Sequence, residues 1–171
     1  MMKYLTLVRH AKSCWKNPLL KDHQRPLNRR GAEDAPRVGR HIAEQISQGV
    51  LPSVDLILHS DALRTCATAK LLANELGLLP QQLLASPALY ECNGETLLNH
   101  IRLTQNSIQH LLVVGHNPGL MECYEELSDF RRDKFPTGAV LHLALPLLED
   151  WQQLQSGQAE VRQFIRPKSL P

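Results

Sequence analysis

The chain is poor in the features that mark several large functional classes. Its cysteines, Cys14, Cys66, Cys92 and Cys123, lie far apart and form no CxxC pair. That argues against a disulfide framework and points to a reducing, cytoplasmic setting. Nor does any cysteine have an arginine six positions later: those places hold Leu20, Leu72, Leu98 and Asp129, so the cysteine-phosphatase route is closed. There is no glycine-rich Walker-type phosphate loop and no HExxH zinc motif. His23, His41, His59, His100, His110 and His142 show no metal-ligand spacing, and neither a metal nor another cofactor is expected. No stretch approaches the roughly 20 apolar residues of a membrane span. The N-terminal apolar run is cut short by Arg9 and His10, so it does not read as a secretory core. An excess of one charge is missing too. The 19 Lys and Arg against 17 Asp and Glu leave +2, with no basic tail, so neither nucleic acid nor a membrane is an expected partner. What remains, in 171 residues, is enough chain for one domain, 1–171, with a sizeable core.

Three short apolar runs stop abruptly at polar residues: Leu5-Thr6-Leu7-Val8 before Arg9-His10, Leu56-Ile57-Leu58 before His59-Ser60, and Leu111-Leu112-Val113-Val114 before Gly115-His116. Such runs read as buried parallel strands, and ligands sit beyond the carboxyl ends of strands in open α/β sheets. Between them lie helical patterns. One starts after Asn28, a candidate N-cap, with Val38, Ile42 and Ile46 on one face; Gly31 and Pro36 leave its start open. A second is expected over 61–75 with Ser60 as its cap and Gly77 at its end. Further helices are expected over 95–105 and 119–127, with strands near 83–85, 139–145 and 161–165. The alternation predicts a three-layer α/β/α sandwich with a mostly parallel central sheet. The polar stretch from Lys12 to Arg25 reads as an active-site loop.

If the three strand ends are neighbours, two arginines and two histidines converge. Arg9 can fork onto two phosphoryl oxygens, and His10, if neutral and held in one tautomer, can attack phosphorus. Ser60, Arg64 and Thr68 recur four apart, as on one helix face, so Arg64 supplies a second cation. His116 sits in Gly115-His116-Asn117-Pro118-Gly119, a tight strand-to-helix turn with Pro118 expected at the first helical position. From there His116 can stabilise developing charge. Taken singly, each motif also fits an ordinary loop, a solvated arginine or a capping turn; it is their concurrence at three strand ends that points to phosphate chemistry.

These residues resemble the histidine phosphatase superfamily, the phosphoglycerate mutase-like fold. Its Arg-His-Gly signature stands here as Arg9-His10-Ala11, with the second arginine as Arg64 and the second histidine as His116. Arg9-His10-Ala11-Lys12-Ser13, Arg25-Pro26-Leu27-Asn28-x-x-Gly31, Gly115-His116-Asn117-Pro118 and Phe135-Pro136-Thr137-Gly138 are similar to the small SixA-like phosphohistidine phosphatase branch. The resemblance implies His10 as nucleophile in a phosphate pocket of Arg9, Arg64 and His116, with Asn117 beside it. It also puts Arg25 near the pocket as a third cation and Ser13 there as a hydroxyl donor. The general acid it implies falls between Arg64 and His116, at Glu91, with Glu95 in reserve. Ala11, where glycine is common, is a change the backbone is expected to accommodate. The implied activity is hydrolysis of phosphohistidine in proteins, with a phosphorylated protein, a phosphotransfer domain, as partner. The alternatives are a small-molecule phosphomonoesterase or mutase acting on a small phosphorylated molecule, and a phosphate-binding module without catalysis.

Overall fold

The computed structural model describes residues 2–171. Strands β1 (Lys3–Arg9), β2 (Leu56–Ser60), β3 (Leu83–Ser86), β4 (His110–Gly115), β5 (Val140–Leu145) and β6 (Glu160–Ile165) form one sheet in the order β3-β2-β4-β1-β5-β6. All its pairings are parallel except those of β5, which runs against both β1 and β6. Helices α1 (Arg29–Ser47), α2 (Leu63–Leu76), α3 (Gly94–Arg102) and α4 (Gly119–Leu127) cover its two faces.

Strand alternation builds two cores from one sheet. Leu5, Leu7, Leu111 and Val113 face Leu97, Ile101, Leu120 and Leu127 of α3 and α4. Val8, Leu112 and Val114 face Val38, Ile42 and Leu72 of α1 and α2. The central strands are buried on both sides, hence their near-continuous apolar runs. This is the expected three-layer sandwich.

Two local expectations are corrected and one open point is closed. Helix α1 starts at Arg29 and continues past Pro36, which lies inside it. Asn28 does cap it, accepting a hydrogen bond from the Gly31 N–H at 2.8 Å. Ser60 is no helix cap: it is the last residue of β2, and α2 begins only at Leu63. Pro118 precedes α4, which starts at Gly119.

A polar thread crosses the sheet interior. The His110 Nδ1–H donates to the Pro52 carbonyl, leaving Nε2 to accept from the Thr6 hydroxyl, which in turn accepts from His142 Nδ1–H; the three bonds are each 2.8 Å. His142 Nε2 is thereby left buried without a partner, and burial, with help from His110 and His41, pushes the His142 pKa down to about 3. The folded state therefore holds this imidazole neutral while the unfolded chain takes up a proton below about pH 6.5. Its contribution to stability is complete above that value and is lost as pH falls toward the folded pKa. Between pH 7 and 5 the wild type is expected to lose about 2 kcal/mol more than His142→Asn, whose amide can make the same donation to Thr6. Urea unfolding at both pH values measures this, and equal losses would show that His142 is protonated in the fold.

Candidate active site

Parallel pairing of β1 with β4 places Arg9 opposite Gly115, so the next residue of each strand, His10 and His116, emerges at the same edge. The His10 N–H donates to the Gly115 carbonyl at 3.1 Å, and the two imidazoles lie 5.3 Å apart between centroids. β2 lies on the other side of β4 and delivers Ser60, whose hydroxyl is 2.8 Å from His116 Nε2. Arg64, from the first turn of α2, is buried between both histidines: its Nε points at His10 Nε2 at 3.3 Å and an Nη lies 3.4 Å from His116 Nδ1.

The tautomer of His10 follows from its partners. Its Nδ1–H donates to the Ala11 carbonyl at 2.8 Å, which leaves Nε2 on the cavity side as an acceptor, taken up here by the Arg64 Nε–H at 3.3 Å. Burial first, then the charges of Arg64 and Arg9, hold the His10 pKa down at about 4, so the ring is neutral at pH 7. His116 is held down to about 3 by burial, by His10 and by Arg64. The Ala11 peptide is itself anchored, its N–H donating to Thr68 Oγ1 at 3.0 Å. Ala11 does not have a positive φ, so its methyl group costs no backbone strain.

These groups open on a cavity of about 480 Å³ lined by Arg9, His10, Ser13, Arg64, Glu91, His116 and Asn117, among others. Arg9 donates one Nη–H to the Phe135 carbonyl at 3.0 Å while its Nε remains buried without a partner. Asn117 donates to the same carbonyl at 2.9 Å. Ser13 lines the cavity but its hydroxyl accepts from the Trp15 indole N–H at 3.0 Å.

Arg25 and the reserve acid Glu95 are not where they were expected. Arg25 is absent from the cavity wall: its Nη groups donate to the Asn17 and Leu20 carbonyls at 3.1 Å, and its guanidinium stacks on Trp15 at 4.0 Å. It braces the 12–25 loop from within instead of reaching a phosphate. Glu95 lines a separate hollow with Arg102 and Glu122. His59 turns its Nδ1–H to the Ser60 carbonyl at 2.8 Å and is not in the cavity wall. Glu91 is there, at φ 49°, a left-handed conformation that a non-glycine residue holds at a cost of about 1–3 kcal/mol.

The sequence reading missed Asp22 and Tyr90. Asp22 accepts from Arg64 Nη at 3.0 Å and from the Tyr90 hydroxyl at 2.5 Å. Burial pushes its carboxyl up, but those two donors outweigh this and hold it below the usual range. Tyr90, pushed up to about 12 by burial and by Asp22, stays a donor. The loop position of Asp22 was the only signal in the text, and nothing there ranked it above its neighbours. Buried Arg64 is paired with Asp22, whereas the half-buried Arg9 has no carboxylate partner, and that leaves a cation for a phosphoryl group.

Comparison with known proteins bears on the family and the fold. A family model described as histidine phosphatase superfamily (branch 1) matches residues 5–129. An uncharacterized chloroplastic protein of Arabidopsis thaliana is 36% identical over 132 residues, which cover 72% of this chain but only 58% of that protein. An uncharacterized protein of Mycobacterium tuberculosis is 27% identical over 94% of this chain and 100% of its own. Among solved structures, a protein histidine phosphatase SixA complexed with tungstate superimposes with a TM-score of 0.74 at 21% identity, covering 96% of this chain and 97% of its own. A phosphoglycerate mutase from Plasmodium falciparum does so at 0.63 and 18%, covering 96% and 91%. At these identities the structural likeness is one of fold.

Proposed function

This chain belongs to the histidine phosphatase superfamily, and from that premise we propose that it hydrolyses phosphohistidine in proteins through a phosphorylated His10. One observation carries the reading. The neutral His10 Nε2 faces a cavity where Arg9, Arg64 and His116 converge, its lone pair held by the Arg64 Nε–H at 3.3 Å until a phosphoryl group draws that donor to its oxygens. Arg9 and Arg64 hold the phosphoryl oxygens, and His10 Nε2 attacks phosphorus as the bond to the substrate's imidazole nitrogen breaks. The leaving nitrogen takes a proton from water or Glu91. Water then attacks phospho-His10, releasing inorganic phosphate and returning the free imidazole. His116, whose Nε2–H is directed to Ser60, is close enough to turn toward the oxygens as their charge grows.

The choice of a protein substrate rests on the walls. Trp15, 64% exposed, and the exposed Glu91 border the mouth, and an open site of this kind admits a side chain presented on a folded surface. The P–N bond also leaves more readily than an alkyl P–O bond, so it depends less on an acid. Glu91→Gln is therefore expected to lower kcat for phosphate esters by about tenfold to a hundredfold, and for phosphohistidine by no more than about threefold. Parallel kinetics on a histidine-phosphorylated phosphotransfer domain and on a panel of phosphosugars and phosphoglycerate decide the matter. Much faster turnover of a phosphosugar or phosphoglycerate would replace this reading with the small-molecule one.

A further inference from the structure

Beside the catalytic cavity lies a larger trough of about 670 Å³ that the chemistry above does not use. Its walls carry Lys12, Arg30, Arg131, Arg132, Lys134, Arg166 and Lys168, with Asp133 as the single carboxylate. The cations come from four separate segments, and the whole chain is only +2, so the rest of the molecule is net negative and the trough is a local concentration of positive charge. The side chains of Lys12, Lys134, Arg166 and Lys168 make no hydrogen bond or ion pair among the described residues, whereas Arg30 is within 3.4 Å of Asp34 and Arg132 stacks on Phe164 at 4.2 Å.

The trough is built as one piece with the catalytic centre. Lys12 and Thr137 line both cavities. Gly138, at φ 74° and next to Thr137, ties the trough to the catalytic strand end: its N–H donates to the Arg9 and His10 carbonyls at 3.1 and 3.0 Å, and a Cβ there would sit 2.7 Å from Pro167 Cγ. Gly31, beside Arg30, permits the close approach of helix α1 to Lys12, since a side chain there would collide with the Lys12 carbonyl.

We infer that the trough docks an acidic face of the protein that presents the phosphohistidine. The inference rests on the phosphohistidine reading and adds how the partner is recognised. A single phosphate needs only the few donors that Arg9 and Arg64 already provide. Cations spread along a trough beside that pocket suit several carboxylates at once. Such a contact speeds and orients encounter while leaving the chemical step untouched.

The test compares wild type with Arg166→Glu/Lys168→Glu, two residues that line neither the catalytic cavity nor the hollow between it and the trough. The substrates are a histidine-phosphorylated phosphotransfer domain with an acidic face, the same domain with those carboxylates changed to amides, and free phosphohistidine. The double variant is expected to lose about tenfold or more in kcat/KM on the acidic domain, through KM, and the wild-type rate on that domain should fall with added salt. On free phosphohistidine the variant should match wild type, and on the amidated domain wild type should fall to the variant's level. An unchanged kcat/KM on the acidic domain would overturn the docking surface, as would an equal loss on free phosphohistidine. So would wild-type activity on free phosphohistidine with none on the phosphorylated domain, an outcome that leaves the chemistry standing. No turnover of any phosphohistidine defeats the proposed function itself, and the docking inference with it. Trough-dependent binding of a short RNA or of phosphatidylserine vesicles, tighter than that of the acidic domain, would reassign the surface.

Discussion

His10→Ala is expected to abolish turnover of every substrate, with a loss on the order of 10⁴-fold or more, because it removes the atom that forms the covalent bond. The fold should survive. His10 makes one side-chain donation, to its own neighbour's carbonyl, and contributes no apolar packing to either core cluster. Stability offers an independent check. With a folded pKa of about 4, His10 is a site where the unfolded chain gains a proton below about pH 6.5 and the folded chain does not. Wild type therefore loses stability through this residue as pH falls from 6.5 toward 4, and the alanine variant does not. Thermal unfolding at pH 7 and 5 should show a smaller acid shift for His10→Ala. An alkaline quench of wild type with labelled substrate should trap phosphate on the protein, and the variant should trap none. Turnover retained within tenfold of wild type would place the nucleophile elsewhere.

Arg64→Ala is expected to cost a hundredfold or more in kcat, about what removal of one transition-state donor costs in other enzymes. Arg64 is 5% exposed and bridges His10, His116 and Asp22, so its truncation also leaves the Asp22 carboxylate facing Tyr90 with its cation gone. Arg25→Ala should be milder and of a different kind. It removes the braces on the Asn17 and Leu20 carbonyls and the stack against Trp15, so it should loosen the loop and appear mainly in KM and in proteolytic susceptibility. Steady-state kinetics on both variants separate the two roles. Equal and small effects would mean that Arg64 does not touch the transferred phosphoryl group.

The contrast between these arginines shows where sequence reasoning stops. Both stand in motifs that resemble the same family, and nothing in the local text tells a donor aimed at a cavity from one folded back on its own loop. Arg64 is fixed by a helix start beside a parallel strand end, geometry that apolar periodicity can foretell. Arg25 lies in an irregular loop whose path depends on where Trp15 settles. Ser60 was misplaced by a similar ambiguity, since a serine at a strand end and one at a helix cap share the same hydrogen-bonding chemistry. Asp22 and Tyr90 come from two loops far apart in the chain and acquire meaning only because they meet over Arg64.

The order of the elements and the placement of His10, Ser60 and His116 at strand ends were determined by the sequence alone. Two-residue alternation and abrupt strand ends are local properties, and parallel pairing brings such ends to one edge. Only the tertiary structure decided which cations face the phosphate, which brace a loop, and which gather in the trough. Arg30, Lys134, Arg166 and Lys168 are scattered along a nearly neutral chain, and long flexible side chains carry no periodicity that would announce a shared surface. Their convergence depends on the close approaches at Gly31 and Gly138, contacts between segments that no local pattern encodes.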